Sequence, residues 1–142
     1  MSAALPRPSD EDRCPCGSGD TFGTCCGPVL SGHRRAGTAE ALMRSRYTAF
    51  ALRDVDHALA SWHPDTRPGR EDLSRSLAEN RWLRLDVMDT RGGGPFEDEG
   101  TVEFVAIART AQGRHELHEI SRFQRVDGTW LYLDGTFPVQ TR

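Results

Sequence analysis

The segment CPCGSGDTFGTCC, residues 14–26, holds all four cysteines of this 142-residue chain. Cys14 and Cys16 are separated by one residue, and the adjacent pair Cys25 and Cys26 follows after eight more. The segment has few apolar side chains, so it needs a source of stability other than a hydrophobic core. Four thiolates so closely spaced are typical of a tetrahedral structural Zn²⁺ site, and we expect all four cysteines to bind zinc.

Two disulfides or a redox-active dithiol are the alternatives to a metal. Cys25 and Cys26 cannot bond to each other without a strained peptide, and neither pair has C-x-x-C spacing. Residues 1–12 contain no apolar segment typical of a secretion signal, which predicts a cytoplasmic location. Thiols remain reduced there, and clustered reduced thiols favour metal binding.

The composition indicates a soluble protein, with 37% hydrophobic residues, 27% charged residues and a formal net charge of −3. No apolar run is long enough to cross a membrane, and the acidic balance argues against nucleic-acid binding. All 18 basic side chains are arginines. The absence of lysine excludes Schiff-base chemistry and a P-loop lysine.

The chain divides into three predicted regions. Residues 1–13, with two prolines and an acidic run, are expected to be a disordered N-terminus. Residues 14–30 form the predicted zinc knuckle, called here the cysteine knuckle, and residues 31–142 form an α+β domain. In that domain Thr38 and Asp54 are expected to cap two helices, and a third is predicted at about Glu71–Glu79.

From Arg81 onward the apolar residues recur with the period of two that is typical of strands. Asp127-Gly128 predicts a two-residue hairpin turn. The register of that hairpin places Phe123 opposite Tyr132 and Ser121 opposite Asp134. Three helices followed by an antiparallel meander predict an α+β fold with helices on one side of a curved sheet.

Two stretches resemble known families. Cys14-Pro15-Cys16-Gly17-Ser18-Gly19 with Cys25-Cys26-Gly27 resembles the SEC-C motif, a zinc knuckle found at the C-terminal end of the secretion motor SecA. Many SEC-C members carry histidine where this chain has Cys26. The stretches TAEALMRSRY (38–47), WHP (62–64) and GTWLY (128–132) resemble the YchJ-like family of uncharacterised bacterial proteins. This resemblance implies a nuclear transport factor 2-like cone, in which a bent sheet wraps helices around a pocket.

Four polar residues are candidates for the pocket of such a cone: Tyr47, His63, Glu119 and Asp134. A carboxylate among aromatic rings can serve in proton transfer, whereas a hydrogen-bonded or ion-paired carboxylate would be structural. The sequence HELHE at 115–119 lacks the second histidine of the zincin H-E-x-x-H motif.

Two hypotheses of function follow. The first is a non-catalytic zinc-binding protein whose cysteine knuckle docks onto a protein partner, by analogy with other SEC-C knuckles. The alternative is a small-molecule-binding protein or acid/base enzyme that uses Glu119 or Asp134 in the cone pocket. The open sheet leaves room for a homodimer under either hypothesis.

Overall fold

The computed structural model describes residues 4–138 and contains helices packed against one antiparallel sheet, as the α+β prediction required. The sheet has the strand order β1-β2-β3-β4. After a 3₁₀ turn at Phe22–Thr24, the elements are α1 (Cys26–Leu30), α2 (Ala39–Leu52), α3 (Val55–Ala60), α4 (Arg70–Glu79), β1 (Arg81–Gly92), β2 (Glu99–Thr110), β3 (Gly113–Val126) and β4 (Thr129–Thr136).

The helices begin where the capping residues predict. The side chain of Thr38 accepts a hydrogen bond from the backbone N–H of Ala41, and Asp54 caps α3 in the same way. Helix α2 ends at Leu52, and the capping residue Arg53 that follows it adopts the left-handed conformation with φ of 58°. Leu73 and Leu77 of α4 are buried against α3 in a small cluster separate from the main core.

The hairpin between β3 and β4 confirms part of the predicted register. Phe123 pairs with Tyr132, but a β-bulge then shifts the register, because β4 carries the extra residue Leu133. Ser121 consequently pairs with Gly135, and the predicted pairing of Ser121 with Asp134 is wrong. A bulge of one residue moves the following side chains to the opposite face of a strand, so Asp134 lies on the outer face of the sheet.

Residues 4–13, part of the segment expected to be disordered, make specific contacts with the folded chain, while residues 1–3 lie outside the described residues. The N–H of Leu5 donates to the carbonyl of Leu52 at 2.8 Å, and Arg7 forms an ion pair with Asp54 at 3.2 Å. The carbonyl of Asp12 accepts a hydrogen bond from the cysteine knuckle. These backbone hydrogen bonds tie the segment to α2 and to the knuckle.

The cysteine knuckle shares the main hydrophobic core. Cys14, Cys16 and Cys26 are buried in the same cluster as Tyr47 of α2 and Trp130 of β4. The inner face of β2 contributes alternate residues to this cluster, as expected for a sheet with one covered face. The knuckle is therefore part of the packing that holds α2 against the sheet.

Candidate metal centre and cone pocket

The four cysteine sulfurs lie within 4.8 Å of one another. The Sγ of Cys25 is 3.6 Å from that of Cys16 and 4.0 Å from that of Cys26. A tetrahedral site with Zn–S bonds of about 2.3 Å has sulfurs about 3.8 Å apart. Four sulfur donors at this spacing fit a tetrahedral metal ion. The Cys25–Cys16 and Cys25–Cys26 distances would each change by only a few tenths of an ångström on binding.

Tight turns of the backbone bring the two halves of the centre together. Gly17 has φ of 78°, a conformation that favours glycine, and its N–H donates to the carbonyl of Cys14 at 3.1 Å. The backbone N–H of Cys14 donates to the carbonyl of Asp20, which closes the loop. The hydroxyl of Ser18 lies 3.2 Å from the Sγ of Cys25 and can donate a hydrogen bond to a thiolate there.

The thiols of the cluster influence one another's ionisation. Hydrogen bonds from Cys14 and Cys26 hold the pKa of Cys16 below its ordinary value. Burial raises the pKa of Cys25 to about 11, and hydrogen bonds to Cys14 and Cys16 raise the pKa of Cys26. A divalent cation that bound all four sulfurs would have to displace the protons of these thiols, so metal binding would release protons.

Helix α2 packs against the candidate metal centre. The Sγ of Cys14 lies 3.9 Å from Oγ1 of Thr48, and the guanidinium of Arg44 donates to the carbonyl of Cys16 at 2.9 Å. Arg44 is also held by Glu40 at 3.0 Å. These contacts fix the position of the cysteine loop relative to α2.

Between the helices and the sheet lies a cavity of about 140 Å³, called here the cone pocket. Its volume is close to that of an apolar cavity of about 150 Å³ that holds one benzene molecule. Of the predicted pocket residues, Tyr47 and Glu119 line it, whereas His63 and Asp134 are not among its lining residues. The lining consists of Met43, Arg46, Tyr47, Phe50, Trp62, Trp82, Phe104, Ala106, Leu117, Glu119, Ser121 and Tyr132.

Glu119 on β3 is the acidic residue of the cone pocket and is only 8% exposed. Its Oε2 accepts hydrogen bonds from the hydroxyls of Ser121 and Tyr132, the latter at 3.0 Å. No arginine or histidine within residues 4–138 forms an ion pair with this carboxylate. Burial and the nearby Glu119 charge raise the pKa of Tyr132, which keeps its hydroxyl protonated as a donor.

Arg46, on α2, is the cation of the cone pocket and is only 5% exposed. Its guanidinium lies 4.3 Å from the ring centre of Tyr132 and 4.5 Å from that of Trp62. Nη1 donates to the carbonyl of Ala58 at 3.2 Å and to the hydroxyl of Ser61 at 2.8 Å. Burial lowers the pKa of Arg46 to about 10, so the group remains charged at neutral pH.

The sequence did not identify Arg46 as a pocket residue, although a signal for it exists. Arg46 lies three residues after Met43 and four before Phe50, on the apolar stripe of α2. A charged residue at such a position is typical of a buried, partnered cation.

The other two predicted pocket residues have structural roles. The backbone N–H of His63 donates to the carbonyl of Tyr132 at 2.8 Å, and its ring accepts a hydrogen bond from the N–H of Asp65. Asp134 accepts two hydrogen bonds of 2.6 Å from Arg122 on the outer face. Those bonds lower the pKa of Asp134, so the carboxylate is a paired surface group. The bulge in β4 thus places Asp134 outside the lining of the cone pocket.

Comparison with known proteins agrees with this architecture. A family model described as the YchJ middle nuclear transport factor 2-like domain matches residues 38–135, and the SEC-C motif matches residues 12–28. A solution structure of a SEC-C motif containing protein from Rhodopseudomonas palustris superposes with a TM-score of 0.81 at 36% identity, covering 89% of this chain and 98% of that one. A crystal structure of a SEC-C motif containing protein from Psychrobacter arcticus gives 0.75 at 25% identity, covering 94% and 86%.

The fold and the cysteine cluster thus define a nuclear transport factor 2-like domain joined to a SEC-C motif. Curated relatives include the UPF0225 proteins of Streptomyces coelicolor, 48% identical over 87% of this chain and 94% of the relative, and of Geobacter sulfurreducens, 44% identical over 86% and 77%. The chain belongs to this YchJ-like UPF0225 family. Within residues 4–138, no helix combines the length and apolar character that a bilayer crossing requires.

Proposed function

We propose that this protein is a non-catalytic zinc-binding protein, in which the ion held by Cys14, Cys16, Cys25 and Cys26 fixes the cysteine knuckle onto the cone. The observation that carries the proposal is the convergence of four sulfurs within 4.8 Å. An all-thiolate set selects zinc over magnesium or calcium, which prefer oxygen ligands. Four sulfurs complete a tetrahedral shell and leave no position for a substrate, so the ion serves folding.

Native mass spectrometry of protein purified without added metal tests this proposal. We expect one zinc per chain, and Co²⁺ exchange should produce the absorption of a tetrahedral thiolate site. Cys25→Ser should lose stoichiometric zinc, because one sulfur is replaced by a poor ligand. Ser18→Ala is the matched control, since it removes a neighbouring hydroxyl and keeps all four sulfurs. Protein that carries oxidised cysteines or no zinc contradicts the proposal.

The proposal also assigns the outward surface of the cysteine knuckle to a protein partner. Support comes from an open groove beside the metal centre, lined in part by Asp20, Arg34 and Cys25. The groove is lined by two acids, Asp20 and Glu40, and by arginines that include Arg34 and Arg35, which favours a partner segment that carries both charges.

Charge reversal at Arg34 tests the docking role and keeps all four sulfurs. Because Arg34 also donates to the carbonyl of Cys25 at 2.9 Å, the zinc content of every variant is measured as well. We expect Arg34→Glu to lose a partner that wild type retains after crosslinking, with zinc content unchanged. Arg75→Glu on α4 is the control, because it makes the same charge change away from the knuckle. Equal capture by all three proteins contradicts docking through this surface.

A second candidate function rests on the cone pocket. Glu119 and Arg46 are both more than nine-tenths buried and line the same cavity. A buried carboxylate without an ionic partner within residues 4–138 can accept a hydrogen bond or a proton from a ligand. The cavity of about 140 Å³ limits that ligand to roughly the size of benzene.

A fragment screen by ligand-observed NMR tests this second function. A fragment that binds in the cone pocket should bind Glu119→Gln more weakly than wild type. This substitution removes the charge of the Glu119 side chain and preserves its shape. Glu103→Gln is the matched control, because Glu103 lies on the next strand and is hydrogen-bonded to His118 at 2.7 Å. Fragments that bind both variants equally well contradict a role for Glu119.

A further inference from the structure

Three arginines occupy directly opposed positions on neighbouring strands. Arg81 of β1 pairs with Arg109 of β2, and Arg109 pairs with Arg114 of β3. Directly opposed residues project from the same face of a sheet, with Cβ atoms about 5 Å apart. The neighbouring pair Trp82 and Ala108 faces the core, so the three arginines lie on the outer face, and all three are exposed.

A fourth arginine lies beside this row. Arg53, at the end of α2, lines an open groove of about 610 Å³ together with Arg81 and Arg109. Its Nε is buried and has no hydrogen-bond partner in the described part of the chain. The acidic residue that lines the groove is Glu79, at the end of α4.

These four arginines, called here the arginine row, form none of the ion pairs that eight other arginines form within residues 4–138. Within residues 4–138, the ion pairs formed at 4.0 Å or less include none of these guanidinium groups. By contrast, Arg122 and Arg125 on β3 are both ion-paired. Like charges directly opposed on a sheet are destabilising, so the row is arranged at the expense of stability.

We propose that the arginine row binds a multiply charged phosphate anion, such as the diphosphate or triphosphate group of a small molecule. A planar guanidinium can donate two parallel hydrogen bonds to phosphate, and several such groups around one groove match several phosphate oxygens. The groove volume is within the range of small-molecule sites, about 300–1,000 Å³. The net charge of −3 disfavours a long polyanion, whereas a small anion meets only the local positive field.

Isothermal titration calorimetry of the full chain with inorganic pyrophosphate tests this proposal. We expect saturable binding of one pyrophosphate per chain. Arg109→Gln, at the centre of the row, should weaken binding by about tenfold or more, since it removes a charged double hydrogen bond. Arg122→Gln is the matched control. It removes the same charge from the same sheet face at an ion-paired site, and binding should change less than about twofold.

The melting temperature supplies a second measurement. Because the arginines repel one another, Arg109→Gln without ligand should melt at the same temperature as wild type or higher. Pyrophosphate should raise the melting temperature of wild type and have a smaller effect on the variant. Arg81→Gln should behave in the same way. Failure of wild type to bind pyrophosphate, or equal weakening in Arg122→Gln, overturns the proposal.

Further titrations identify the source of the phosphate. Tighter binding of ATP than of pyrophosphate indicates a nucleotide, and equal binding indicates free polyphosphate; both support the site. Binding to single-stranded RNA without any response to pyrophosphate overturns a small-anion site. Zinc content is measured on each arginine variant, so that weaker pyrophosphate binding at unchanged zinc content is distinguished from loss of the metal.

Discussion

The Sγ atom of Cys14 lies 3.9 Å from Oγ1 of Thr48, in the third turn of α2. The residues that precede Thr48, Arg46 and Tyr47, line the cone pocket. One face of this helix therefore supports the metal centre while another supplies the pocket. We therefore expect a change in the cysteine cluster to affect α2 through direct packing.

Cys14→Ser should consequently destabilise the cone as well as the metal centre. Cys14 is buried in the main core, so loss of the ion leaves a polar hydroxyl and a loosened loop against α2. We expect a loss of about 3 kcal/mol or more in the free energy of unfolding, together with loss of bound metal. Urea unfolding followed by circular dichroism measures the first effect.

Ser18→Ala is the control for this prediction and should cost about 1–2 kcal/mol, as expected for the loss of two exposed or half-buried hydrogen bonds, with Cys25 and with the N–H of Asp20. Chelation of wild type should likewise perturb amide NMR signals of α2 and the sheet. Sheet signals that stay in place after complete metal removal would show that the cone folds independently of the cluster.

Arg46 should be the most sensitive arginine of the protein. Its guanidinium contacts the faces of Trp62 and Tyr132 and donates two hydrogen bonds. We expect Arg46→Ala to destabilise the protein by about 3–5 kcal/mol, because a buried, partnered cation is removed. Arg46→Lys should recover only part of this loss, since an ammonium cannot stack on both rings.

Thermal and urea unfolding measure the stability of both Arg46 variants. The control is Arg75→Ala, because Arg75 forms an exposed ion pair with Asp72 within α4 and should change stability by less than about 0.5 kcal/mol. Equal stability of Arg46→Ala and Arg75→Ala would contradict the structural role of the aromatic contacts.

Gly135 determines the position of the Glu119 carboxylate. A Cβ atom placed on Gly135 would overlap Oε2 of Glu119, because Gly135 pairs with Ser121 across the strands. Gly135→Ala should therefore displace the carboxylate and cost about 1–3 kcal/mol. Gly37→Ala, where nothing lies within 4 Å of the added Cβ, should be close to neutral.

A double-mutant cycle checks this relationship. The combination of Gly135→Ala with Glu119→Ala should destabilise less than the sum of the two single changes, by about 0.5–3 kcal/mol. Strict additivity would mean that the overlap is relieved elsewhere, and the proposed contact would be wrong.

The features that sequence predicted correctly depend on local chemistry. Thr38 and Asp54 cap helices through hydrogen bonds to residues three positions later, and Asp127-Gly128 forms the expected turn. The bulge at Leu133 depends on how β4 meets β3, so alternation alone placed Asp134 on the wrong face.

Local sequence patterns also could not predict the burial of Arg46. It depends on Trp62 and Tyr132, two residues that are distant in sequence and meet only in the folded cone. The arginine row has the same origin, since Arg81, Arg109 and Arg114 become neighbours only when three strands pair. Metal ligands were easier to identify, because the four cysteines are close in sequence before the chain folds.

His57 should make the folded protein sensitive to mild acid. Its Nε2 lies 3.0 Å from the hydroxyl of Ser45, and burial lowers its pKa to about 4, an effect that the Asp54 charge partly opposes. The unfolded chain has an ordinary histidine pKa of about 6.5 and takes up the proton first. This contribution to stability is therefore complete above pH 6.5 and is lost as the pH falls towards 4, by up to about 3 kcal/mol.

Urea unfolding at pH 7.5 and at pH 4.5 measures this loss, and an NMR titration of the His57 ring gives its pKa directly. His57→Gln should reduce the pH dependence by the His57 contribution, because that group no longer takes up a proton on unfolding, and leave the part that comes from proton-linked loss of metal. His33→Gln is the matched control, since His33 is an exposed histidine hydrogen-bonded to Ser31. A ring that titrates near pH 6.5 in the folded protein would contradict the buried, neutral state, and the acid sensitivity would then have to arise from another group.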